Sequence, residues 1–150
     1  MFYHLTRSTV EQTMATILPR ALAQGWPVMV RGCSRDTLDA LDLALWLGPE
    51  EAFLPHGLQG GPQDSDQPIL LGTGAIGNAA RALLLLERAV TTPEETMPLE
   101  RVWVIFNGAD EAEVQAARAL WSVLTGAGMA AQYWSEEGGR WEKKTEKPAR

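Results

Sequence analysis

Pro27-Val28-Met29-Val30-Arg31-Gly32-Cys33-Ser34-Arg35-Asp36-Thr37-Leu38 contains a change of period. Its first five residues are a short apolar run that reads as a buried strand. From Ser34 the pattern becomes helical. Ser34 is an N-cap residue, Asp36 lies in the first turn where the helix dipole favours an acid, and Leu38, Leu41 and Leu45 return on one face. This helix ends before Gly48-Pro49. Upstream, Phe2 to Leu5 reads as a first strand. Ser8 and Glu11 have capping-box spacing for a helix that runs to about Ala23 and stops at Gly25. Pro19 should kink or break that helix, because proline removes an internal hydrogen bond. Strand, helix, strand, helix predicts an α/β fold: a mainly parallel sheet with helices on both faces, Rossmann-like and three-layered, in a single domain.

Further along, Glu50 to Gln67 scatters Gly, Pro and Asp around one apolar island, Phe53-Leu54-Pro55, and reads as a long loop. Ile69-Leu70-Leu71, Ala82 to Leu86 and Arg101 to Phe106 are three more strands, with Thr91 to Glu100 as a connection. Asn107-Gly108-Ala109-Asp110 turns into a final helix, Glu111 to Leu124, closed by Gly126 or Gly128, and Met129 to Trp134 is the last strand. The division is therefore an α/β domain over 1–135 and a charged, mobile tail over 136–150.

The chain has 150 residues, 45% of them hydrophobic, which is enough for one sizeable core. Lys and Arg number 13 against 19 Asp and Glu, a net charge of -6. That argues against a surface gripping duplex DNA through phosphates, and any direct nucleic-acid binding is expected to be weak. One cysteine, Cys33, rules out an intramolecular disulfide, and no apolar run reaches the ~20 residues that span a bilayer. No leader pattern opens the chain, so a cytoplasmic protein without membrane contact is expected. Six tryptophans are many for this length; most should fill the core, with one or two facing a partner.

Gly72-Thr73-Gly74-Ala75-Ile76-Gly77 matches G-x-G-x-x-G after a predicted strand, where a dinucleotide pyrophosphate would sit. The adjoining Ala79 to Leu86 looks like a turn feeding a strand rather than a phosphate-capping helix, so the match is weak. His4, His56 and Cys33 provide no close-spaced ligand pair, and Ser8, Ser34 and Thr37 are accounted for by helix starts. No catalytic residue, cofactor or metal is expected, and the chain does not read as an enzyme.

On the final helix, Ala112, Ala116, Ala119, Leu120 and Val123 gather as the expected core face. Val114, Arg118 and Trp121 then project from roughly the opposite side. They form either a docking strip or a face covered by another layer. As a strip it suits an acidic peptide with an apolar end, since a guanidinium pairs a carboxylate bidentately while indole and valine bury an aromatic. On the second helix Trp46 lies beside Asp39 and Asp42. Phe53 can join it in an aromatic patch that marks either an interface or the core's edge.

Three blocks resemble the chi subunit family of bacterial DNA polymerase III. They are Phe2-Tyr3-His4-Leu5; Leu41-Asp42-Leu43-Ala44-Leu45-Trp46 running into Glu51-Ala52-Phe53-Leu54-Pro55-His56-Gly57-Leu58; and Phe106-Asn107-Gly108 with Ala116-Ala117-Arg118 and Tyr133-Trp134. The resemblance covers residues 1–134. It implies an α/β, non-catalytic clamp-loader subunit that binds a psi subunit on one surface and the acidic C-terminal peptide of single-stranded DNA-binding protein on another. By position, the psi surface implies Trp46 and Phe53, and the peptide surface implies Asn107, Val114, Arg118 and Trp121. Asn107 and Val114 stand where other members can offer an apolar and a basic residue, leaving Arg118 as the main cation. The competing readings are a nucleotide-binding enzyme or sensor using Gly72, Gly74 and Gly77, and an accessory to a repair helicase that engages the Trp46/Phe53 patch.

Overall fold

Three four-residue runs, Val28–Arg31, Ile69–Gly72 and Ala82–Leu85, are buried at every position, as parallel strands covered on both faces must be. The computed structural model describes residues 1–6, 8–46, 55–136 and 140–148, and of Trp46 only the backbone. Its strands are β1 (Phe2–Leu5), β2 (Val28–Arg31), β3 (Gly57–Leu58), β4 (Ile69–Gly72), β5 (Ala82–Leu85), β6 (Arg101–Asn107), β7 (Ala131–Ser135) and β8 (Glu142–Lys147). They form one sheet in the order β3-β4-β2-β5-β6-β1-β7-β8, parallel throughout except for the antiparallel β7–β8 pair.

Alternation along the strands divides the core in two. Val28, Val30, Ile69, Leu71, Leu84 and Ile105 meet Met14, Ile17, Leu18 and Ala21 of α1 (Val10–Ala23) and Leu38 and Leu41 of α2 (Arg35–Trp46). Met29, Leu70, Leu83, Val104 and Phe106 face the other way, onto Val114, Ala117, Leu120 and Leu124 of α4 (Glu111–Gly126). The expected three-layer α/β domain with helices on both faces is the fold observed. α3 (Pro93–Thr96), one turn capped by Thr92, lies in the connection between β5 and β6.

Several local expectations need correction. The capping box of α1 belongs to Thr9 and Gln12, not to Ser8 and Glu11. Ser8 is engaged elsewhere: its amide and hydroxyl donate to the buried Glu136 carboxylate at 2.6 and 2.7 Å, and the Thr6 amide donates to it at 2.9 Å. Thr9→Ala should accordingly cost about 1 kcal/mol, read as a lower urea midpoint at unchanged slope. A loss no larger than that of a neighbouring surface substitution would remove the cap from Thr9. Pro19 does not end α1, which continues to Ala23. It sits on the exposed side, as does Ala15, whose carbonyl it leaves without an amide partner, so water can take that bond.

The described part of the 50–67 loop contains β3, paired with Leu70 and Leu71, and a 3-10 turn at Asp64–Asp66. α4 runs on to Gly126, and of the two candidate closing glycines it is Gly128 that has the left-handed φ of 91°. The segment after Ser135, expected as a mobile tail, carries β8, which extends the sheet beside β7 with an irregularity at Tyr133/Trp134. Its alternating charges hid it, because an edge strand needs no apolar face and is often guarded by lysine.

Candidate protein-docking site

Asp110 opens α4 by accepting from the amides of Ala112 and Glu113 at 3.0 and 3.2 Å. The helix then buries Val114, Ala117, Leu120 and Leu124. This corrects the face assignment made from the sequence. Val114 is 7% exposed and belongs to the core, whereas Val123 is 51% exposed and Ala112 and Ala119 face solvent. Apolar residues occur all around α4, so the period alone admits two faces. The larger side chains take the buried one because the gain from burial scales with apolar area.

Trp121 is half-buried, with its ring edge-on to Phe2 at 5.2 Å and to Tyr133 at 6.4 Å between centroids. Arg118 lies four residues after Val114 and three before Trp121, so it leaves α4 from the flank those two share. It is exposed and forms no ion pair among the described residues. The site is therefore the edge of α4 that faces β7, with a cation beside two half-buried aromatics. Tyr133 had entered only as part of a family block, and its alternation with Ala131 along the last strand was the one available signal. Its hydroxyl lies 2.6 Å from His4 Nδ1.

Asn107 ends β6 and leads into α4. Its side-chain oxygen accepts from the Ala109 amide at 2.9 Å, and its own amide donates to Glu113 at 3.2 Å, so it builds the turn into α4. Burial raises the Glu113 carboxyl above its ordinary value, opposed by the Asn107 hydrogen bond and assisted by Asp110 and Glu87. The N-terminal end of α4 is thus the acidic end.

The Trp46 side chain and Phe53 lie outside the described residues. Leu43 on α2 is 58% exposed. Buried His56 holds the Asp42 carboxylate at 3.1 Å, tying the start of β3 to α2.

The Gly72–Gly77 segment does not have the geometry of a phosphate cradle. Gln59 occupies it, accepting from the Gly74 amide at 3.0 Å and donating to the Ala75 carbonyl at 2.8 Å. Arg31 donates to the Gly74 carbonyl at 3.0 Å. The chain passes from there to β5 without a helix, so there is no helix N-terminus to receive an anion. A cavity of about 470 Å³ adjoins the segment, lined by Arg31, Cys33, Thr73, Gly74, Arg88 and Glu95. Of its two cations the buried one, Arg31, is already paired, holding Glu95 bidentately at 2.6 and 2.7 Å, and Arg88 is exposed. That hydrogen-bonded pairing keeps the Glu95 carboxyl below its ordinary value against the opposing effect of burial. Among the described residues no group of three His, Cys, Asp or Glu side chains is placed to hold a metal ion, and no helix is long and apolar enough to cross a membrane.

The chain is a three-layer α/β domain whose candidate site is a helix edge with one cation and two aromatics. The family model for "DNA polymerase III chi subunit, HolC" matches residues 1–132 of the 150, and the chain belongs to this family. It is an accessory replication subunit of the DNA polymerase III complex. None of the curated proteins compared with the chain matches it.

Proposed function

We propose that this chain is a non-catalytic clamp-loader subunit that tethers the polymerase to single-stranded DNA-binding protein through that protein's acidic C-terminal tail. A psi-type subunit would join it through Trp46 and Phe53. The observation that carries the reading is the exposed Arg118 three residues before Trp121 on α4, whose ring meets that of Tyr133. A carboxylate of the tail would take the guanidinium, and the tail's apolar end would cover the indole. Val114 serves as the floor beneath them, not as a contact on an open face. Asp110 and Glu113 repel an acidic chain from the start of α4, so the tail would run from Arg118 toward the C-terminal end of the helix. Asn107 contributes through the turn it builds.

The test is a titration of the whole chain with a labelled acidic peptide ending in phenylalanine. Binding should weaken as salt is added, and Arg118→Ala should reduce affinity about tenfold, in keeping with one lost charge-assisted bond. Undiminished binding by that variant would move the site elsewhere. For the second surface, a psi-type subunit should co-purify with the wild type and be lost from Trp46→Ala.

A further inference from the structure

The α1 side of the sheet is incompletely covered at the β8 end. Tyr3 of β1 and Trp134 of β7 are register partners. Trp141, just before β8, sets its ring edge-on to Tyr3 at 5.2 Å and 81°. α1 closes the other side with Gln12, Thr13, Thr16, Ile17 and Arg20, leaving a groove of about 660 Å³. Tyr3 and Trp134 are half-buried there and Trp141 is 37% exposed. No carboxylate lines the groove among the described residues, and its one charged side chain is the exposed Arg20.

The strand next to the groove carries cations against the balance of the whole molecule, and the register sets Lys143 opposite Trp134. All 3 lysines of the chain, Lys143, Lys144 and Lys147, lie on β8 with Arg140 just before it, in a protein whose net charge is -6. Glu142 and Glu146 offset part of this through pairs with Lys144 at 3.3 Å and Lys143 at 2.8 Å. Lys147 stands opposite Ala131, which belongs to the α4 side of the sheet, so the cations on the groove side are those at the start of β8. β8 also lies beyond the residues that the family model matches.

We infer that this groove binds single-stranded nucleic acid, with bases stacked on the aromatic cluster of Tyr3, Trp134 and Trp141 and phosphates following Arg20 and the cations at the start of β8. Exposed aromatic rings beside cations are what single strands require, since every base has a π-face and unpaired bases are free to reach one. A duplex keeps its bases stacked away from such faces and would have to be held by phosphates alone, against the overall charge. The groove is on the opposite side of the sheet from α4, so this inference goes beyond the proposed function and does not depend on it.

The experiment is a fluorescence-anisotropy titration of the whole chain against labelled oligothymidylate of about 15 nucleotides at low salt. The expected result is saturable binding that weakens with salt, falls about tenfold in Trp141→Ala, and is markedly weaker for a duplex of the same length. Arg20→Glu, an exposed change that should not disturb folding, is expected to weaken binding and reduce the salt slope by about 0.7. Saturating acidic peptide, docked on the other face, should leave the oligonucleotide affinity unchanged. No binding at low salt, equal affinity for duplex, or full affinity in both variants would each overturn the inference. An acidic peptide whose binding is lost in Trp141→Ala, without any oligonucleotide binding, would assign the groove to a protein partner instead.

Discussion

Arg31→Met is expected to destabilise the fold by about 3 kcal/mol or more, the range seen when one member of a buried ion pair is removed. Arg31 is 8% exposed at the end of β2. Its guanidinium donates to Gly74, to Val90 and twice to Glu95, so it joins the β4–β5 loop to α3 and its approach. Methionine fills much of the same space but satisfies neither carbonyl, and it strands the Glu95 carboxylate with Thr91 as its remaining side-chain partner. The loss should appear as a lower urea midpoint with little change in slope.

The pH dependence has a definite sign. Glu95 is depressed in the folded state below its ordinary value of 4.5. Its contribution is therefore complete above that value and is lost as pH falls through the lower folded one. In Arg31→Met that acid-side loss should largely vanish. A variant that unfolds at the wild-type midpoint with the wild-type acid profile would show that the pair does not hold the loop. Because Arg31 and Gln59 already occupy the polar groups of the glycine-rich segment, a panel of nucleotides should leave the melting temperature of the wild type unchanged.

Gly108→Ala is the second large effect, up to about 3 kcal/mol, the upper end of overpacking costs. Gly108 donates to the Leu5 carbonyl at 2.8 Å. A methyl group there would overlap the His4 ring and come within 2.9 Å of the Leu5 oxygen. His4 cannot readily yield. Tyr133 holds its Nδ1, and its ring packs on Phe106 at 5.2 Å. Adding His4→Ala should recover part of the loss, an interaction that a double-mutant cycle isolates, while the contact with the Leu5 backbone keeps the recovery incomplete. Equal losses in the single and double variants would place the strain in the backbone alone. This glycine adjoins the Asn107 turn that launches α4, so the position of Arg118 depends on it.

Some of these features were legible in the chain and others were not, for physical reasons that differ. The strands around Met29, Leu70 and Leu84 announced themselves because a sheet covered on both faces needs apolar residues at consecutive positions, and the helices did so through their caps and 3.6-residue period. Ser8 and Thr9 were confused because two overlapping tetrads, Ser8 with Glu11 and Thr9 with Gln12, have the same spacing. Only the buried Glu136, 128 residues from Ser8 in sequence, separates them. β8 was missed because pairing with β7, not hydrophobicity, makes it a strand.

The candidate site divides in the same way. That Arg118 and Trp121 share one flank of a helix follows from 3.6 residues per turn, a local geometry that any folded context must respect. Whether that flank or the alanine face meets the sheet is a question of area buried across the whole molecule, and it was settled by Val114, Leu120 and Leu124 packing against Phe2, Val104 and Phe106. The glycines at 72, 74 and 77 spelled a nucleotide fingerprint, but Gln59, brought from thirteen or more residues upstream, fills the loop they form. The amino-acid sequence alone determined the layers, the main strands and helices and the family, because periodicity and capping act over a few residues. Which side chains are left exposed to meet a partner was decided by long-range packing, where no local pattern carries the information.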